Sequence, residues 1–168
     1  MGYTTYFSGQ VTLDKPLTTE LYDYLMKFYK IRHMKRDVEK IKEMGYEGDY
    51  GVEGEFFVEG ENYNYMDNSI IDYNTPPTTQ PGLWCQWIPT KDRMAIEWDE
   101  GEKFYCADEW MDYLLNKILA PHGYIANGKI YATGESSDDH WMISVVDNEV
   151  KVYGGRVIYE DEYGRIIE

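Results

Sequence analysis

Cysteine is almost absent from this chain. Only Cys85 and Cys106 occur in 168 residues, with no CxxC pair and no Cys/His spacing of a zinc ligand set. Free thiols, no metal and a reducing, cytoplasmic setting are the expectation. No run approaches the ~18 consecutive apolar residues of a membrane span. The opening "MGYTTYFSGQVTL" has neither the basic nor the apolar region of a secretory leader, and Tyr6 breaks the myristoylation pattern. Histidine is limited to His33, His122 and His140, and no GxSxG, HExxH, Walker or dinucleotide-binding motif is present. No catalytic residue and no cofactor are therefore assigned. Basic residues are also few. Sixteen Lys/Arg stand against 31 Asp/Glu, a formal net charge of −15. Long-range repulsion then disfavours direct binding to nucleic acid or to an anionic membrane.

What is present is aromatic and acidic. Aromatics make up 16% of the chain, including 17 tyrosines, which a disordered acidic tail would not carry. The length suits a single domain over residues 1–168. Residues 3–13 read as a strand, and a Thr cap precedes a helix over 19–31 with Leu21, Tyr24, Leu25, Phe28 and Ile31 on one side. "DVEKIKEMG" reads as a short second helix. Residues 45–69 read as irregular, with "EFFVE" as an edge strand, and three prolines fix the extended connection "IIDYNTPPTTQPG". "LWCQWI" and "MAIEWD" form a half-buried hairpin. In the first strand Trp84, Gln86 and Ile88 alternate with Leu83, Cys85 and Trp87.

The clearest helix is "ADEWMDYLLNKILAPHGY". Asp108 and Glu109 suit its first turn, and Trp110, Met111, Leu114, Leu115, Ile118 and Leu119 form its apolar face. Strands follow, with turns expected at Asn127-Gly128 and Asp147-Asn148. This order predicts an α+β fold: an antiparallel sheet with two main helices packed on one face.

Charge is unevenly spread. Residues 27–42 hold seven Lys/Arg and two acids, whereas the remainder holds nine Lys/Arg and 29 acids. If the first helix continues, spacings of three and four place Arg32 beside Lys35 and Arg36 on one surface. Those three, with Trp84 and Trp87 as stacking aromatics, are a candidate site for a small phosphorylated ligand. The other reading is charge compensation at a helix end, with the tryptophans in the core. Glu97, Asp99 and Glu102 gather at the end of a strand. They are a candidate acidic interaction surface, with an acid/base pair as the catalytic alternative. Cys106 opens a helix, where a thiol pKa can be depressed.

The pieces "YFSGQVTL", "RHMKRD", "DYNTPPTTQPGLWCQWIP", "IEWDEGEKFY" and "GYIANGKIYATGE" span most of the chain. Together they resemble a family of small uncharacterised proteins from bacteriophage and bacterial, notably actinobacterial, genomes. The acidic loop 45–65 departs from that pattern, and "YATGE" stands where a tryptophan–glutamine–glycine run is expected. The resemblance implies a common scaffold and a phage setting, without a mechanism. With the acidic, tyrosine-rich surface it leads to the expectation of a non-enzymatic binding protein acting on a host protein or host defence. A binder of a nucleotide-like anion and a carboxylate-based hydrolase or transferase are the alternatives.

Overall fold

The computed structural model describes residues 2–60 and 67–167. A six-stranded antiparallel sheet is built from β1 (Tyr6–Leu13), β4 (Trp87–Pro89), β5 (Ala95–Trp98), β6 (Ala126–Thr133), β7 (His140–Val146) and β8 (Glu149–Gly154). Their spatial order is β4-β5-β1-β6-β7-β8. The helices are α1 (Thr19–Lys30), α2 (Val38–Glu43) and α3 (Ala107–Tyr113). Short strands β2 (Lys35–Arg36) and β3 (Ile70–Asp72) pair with each other, as do β9 (Tyr159–Glu160) and β10 (Ile166–Ile167). This is the expected α+β class. No described helix is long and apolar enough to cross a membrane.

Strand alternation gives the sheet two unlike faces. Phe7, Val11 and Leu13 of β1 lie opposite Ala132, Gly128 and Ala126 of β6, and these meet Trp141 and Val145 of β7. That face is covered by α1 and α3, and Phe28, Trp110, Met111, Leu114, Leu115, Ile118 and Leu119 complete one core cluster with it. All six apolar residues expected of α3 are buried. The helix holds them inward by widening into a π turn over Leu114–Leu119. The other face carries Tyr6, Ser8, Gln10 and Thr12 of β1 and Asn127, Lys129, Tyr131 and Thr133 of β6, and all eight are exposed.

Several local expectations are corrected. Asn127-Gly128 is no turn, because β6 runs straight through it. Gly128 has φ of 158°, and a Cβ there would sit 2.6 Å from the Gln10 carbonyl oxygen. The glycine thus permits close approach of β1 and β6. "EFFVE" is not a strand: a 3₁₀ turn at Val52–Gly54 leads into it, and Glu55 and Phe57 are buried. Residues 61–66 of the expected irregular stretch lie outside the described residues. Helix α1 does not continue through the basic island. It ends at Lys30, and Ile31 is already extended.

Candidate functional site

The ending of α1 decides the fate of the island. After the extended Ile31 the chain turns at His33, where the Met34 N–H donates to the Arg32 carbonyl at 3.0 Å, and enters β2, so Arg32, Lys35 and Arg36 do not share a helical surface. Arg36 is 2% exposed. Its Nη1 donates to Asp67 Oδ2 and to Ser69 Oγ, each at 2.7 Å, and its guanidinium lies 5.1 Å from the Phe57 ring centre. Burial alone would raise the Asp67 carboxyl, but hydrogen bonds from Ser69 and then Arg36 hold it below the usual range. Lys35 pairs with Glu53 at 2.9 Å. The Thr78 N–H, Lys35 and the Thr78 hydroxyl together pull the Glu53 carboxyl down to about 2. Arg32 donates to the Tyr73 carbonyl at 3.0 Å and covers that ring at 4.2 Å. Arg32 and Arg36 thus pin loop 67–75 to the chain leaving α1, and Lys35 ties the same chain to the Val52–Gly54 turn.

The tryptophans separate in the same way. Trp87 is 1% exposed and donates from Nε1 to the Ala107 carbonyl at 2.8 Å. Phe7 and Phe104 meet it edge to face. Trp84 is half-buried on the opposite side of its segment. Arg36 and Trp87 therefore present no surface to a ligand, and the expected ligand-binding group is not assembled as one site. Its physical flaw is burial: both residues are part of the packing.

Of the acidic trio, Asp99 and Glu102 meet Gln86, whereas Glu97 lies opposite Ile88 across the β4–β5 ladder. Asp99 donates its N–H to the Gln86 carbonyl at 3.0 Å, and the Gln86 side chain donates to the Glu102 carbonyl at 2.9 Å. Burial pushes the Asp99 carboxyl up, although it accepts the Gly101 N–H at 2.7 Å. Glu97 is half-buried, and only Glu102 is exposed. No described cluster of three or more His, Cys, Asp or Glu is arranged to hold a metal ion. Cys85 is buried, which pushes its thiol far up. The exposed Cys106 thiol is raised too, by partial burial and by Glu109 and Asp108. The carboxylates around it thus oppose the depression expected at a helix start.

A different group of carboxylates comes together. Asp108, Glu109 and Asp112 of α3 face Asp147 and Glu149 of the β7–β8 turn across a groove of about 490 Å³. Its floor is Val150 and Val152 of β8, the edge strand, and no Lys or Arg lines it. Among the described residues the cation nearest to any of the five is Lys151, 3.6 Å from Glu149. The walls are fixed by asparagines. Asp147 and Asn148 have φ of 46° and 69°, a left-handed pair that closes the two-residue turn between Val146 and Glu149. Asn148 donates to the Tyr124 carbonyl at 2.9 Å and accepts the Ala126 N–H at 2.7 Å. Asn116 then bridges the walls, donating to Asp112 Oδ1 at 2.7 Å and to the Asn148 carbonyl at 3.0 Å.

Sequence reasoning treated Asp108 and Glu109 as helix-dipole partners and Asp147 as a turn residue, and it passed over Asp112 and Glu149. The available signal was the i, i+3 and i, i+4 spacing of Glu109 and Asp108 to Asp112 on a face away from the apolar six. What the groove can do is bind cations with long apolar stems. A Lys or Arg side chain would lay its methylenes on the valines and its head among the carboxylates.

A second cavity, of about 610 Å³, opens between α1, the end of α3 and loop 49–56. Its tyrosines have their hydroxyls engaged by backbone: Tyr24 with the Phe56 carbonyl, Tyr50 with Glu47 and Tyr124 with Pro16. Charges of both signs stand around it, with Glu20 and Asp49 beside Lys117. No protein family model, no curated protein and no solved structure matches the chain.

Proposed function

We propose that this chain is a non-enzymatic binding protein that captures a partner protein by a basic segment laid in the α3/β8 groove. The carrying observation is the combination of five carboxylates, an apolar floor and no lining cation. Like charges held this close repel one another, and an incoming Lys or Arg relieves that repulsion while keeping its stem on Val150 and Val152. The remaining negative charge of the chain speeds the encounter. The motif resemblance to phage and bacterial proteins supports a bacterial host protein, including a component of host defence, as the partner.

The test is calorimetric titration with a short peptide alternating arginine and valine. Binding is expected to the wild type and to be lost in Asp108→Lys/Asp112→Lys, with affinity falling as salt rises. Equal binding by both proteins would place the site elsewhere.

A further inference from the structure

The segment following β8 carries apolar surface that no described residue covers. Residues 155–167 leave the sheet at Gly155, whose N–H is still bonded to the His140 carbonyl at 2.7 Å. They then form the β9–β10 hairpin. Its turn is well made: Asp161 accepts the N–H groups of Tyr163 and Arg165 at 2.9 Å, and Arg165 Nε returns to Asp161 at 2.7 Å. Yet Tyr159 is 72% exposed, Tyr163 75%, Ile166 63% and Ile167 55%. A two-stranded hairpin is marginal alone in water, and an apolar one is an association site.

The uncovered face of the sheet has the complementary character. One ladder row runs Ser8, Tyr131, Met142, Tyr153 across four strands. The neighbouring row places Lys129 and Lys151 on either side of Ser144, with Lys151 also 3.6 Å from Glu149 at the start of its own strand. Beside the tyrosines lies a groove of about 330 Å³ whose lining includes His140 and Arg156 and, among the described residues, no carboxylate. In a chain of net charge −15 that is an exception. The hairpin, with Glu160, Asp161 and Glu162 against Arg165, is net acidic. Val157 lines the groove, whereas no described residue after it does, and the apolar residues of the hairpin stay exposed.

We infer that the hairpin of one copy docks on the Tyr131–Met142–Tyr153 face of a second copy, and reciprocally, giving a two-fold dimer by arm exchange. The occupant is a second copy because the same chain supplies both the acidic apolar arm and the cationic tyrosine face. Elsewhere the surface charge of two copies would repel. Area is consistent with this. Tyr159 and Tyr163 alone offer roughly 300–500 Å², and the isoleucines and the receiving face bring each protomer near the ~800 Å² of a standard interface. The exchanged arm also crosses the end of edge strand β8, an element that natural folds protect.

The experiment uses the full chain. Sedimentation equilibrium at tens of micromolar is expected to give a dimer that weakens with salt. Tyr163→Ser/Ile166→Ser on the arm and Tyr131→Ser/Tyr153→Ser on the face should each give monomers with unchanged far-ultraviolet circular dichroism. Zero-length carboxyl–amine cross-linking of mixed ¹⁴N and ¹⁵N protein should join Glu160 or Glu162 to Lys129 or Lys151 between differently labelled chains. A monomeric wild type, a dimer that survives both variants, or cross-links within one chain only would overturn the inference.

Discussion

The basic island and the acidic groove are both concentrations of one charge, and the fold treats them oppositely. Around the island, Arg36 is enclosed with Asp67, Lys35 is bound to Glu53 and Arg32 is held by Tyr73. In the groove, Asp108, Glu109, Asp112 and Asp147 have no Lys or Arg within 4 Å among the described residues. The cations hold the structure together, whereas the carboxylates face outward. Charge density along a chain therefore does not identify a site. What identifies it is charge left uncompensated on a rigid scaffold, and here that belongs to the sign in excess.

Removing Arg36 breaks this comparison most severely. Arg36→Ala strands Asp67 and Ser69 in a nearly closed space, so a loss of about 3–5 kcal/mol is expected in urea denaturation. A ligand-site role for Arg36 would instead leave stability intact. Trp87→Ala should cost a similar ~3–5 kcal/mol, since a fully packed aromatic and its hydrogen bond to Ala107 are lost. Trp98 is only half-buried against Phe7 and Tyr6, so Trp98→Ala should cost roughly half as much by the same scaling.

Acid sharpens the comparison at His33, which sits in the island's buried part. Burial, opposed by the Phe28 carbonyl and aided by Arg36, lowers its pKa to about 4. The unfolded chain takes up that proton near 6.5. Between these values the unfolded state binds more protons, so stability falls as pH falls from about 6.5 towards 4. His33→Asn should flatten the upper part of that slope in denaturation curves taken from pH 7 to 5. An unchanged slope would assign it to other groups. The smallest effect on stability is expected in the groove. Asp112→Lys, which loses the exposed Asn116 hydrogen bond, should shift unfolding by only ~1 kcal/mol, while abolishing binding of the arginine–valine peptide.

What was legible from the sequence followed local periodicity. The six apolar residues of α3 and the Asp147-Asn148 turn both come from patterns within a few residues. Asn127-Gly128 shows the limit of that rule, because the glycine answers to the Gln10 backbone on another strand. Arg36 shows the same limit for charge. Its partner Asp67 stands 31 residues away, and only the fold reveals that the pair is enclosed. The groove was illegible for a related reason. Its two walls come from α3 and from the β7–β8 turn, and each wall alone resembles an ordinary solvated helix face or turn.

The most direct test of the account is a ¹⁵N backbone NMR titration of the wild type with the arginine–valine peptide. The account predicts shifts confined to residues 108–116 and 147–152, saturating together and suppressed by salt. Shifts centred on residues 30–36, or none at all, would contradict it.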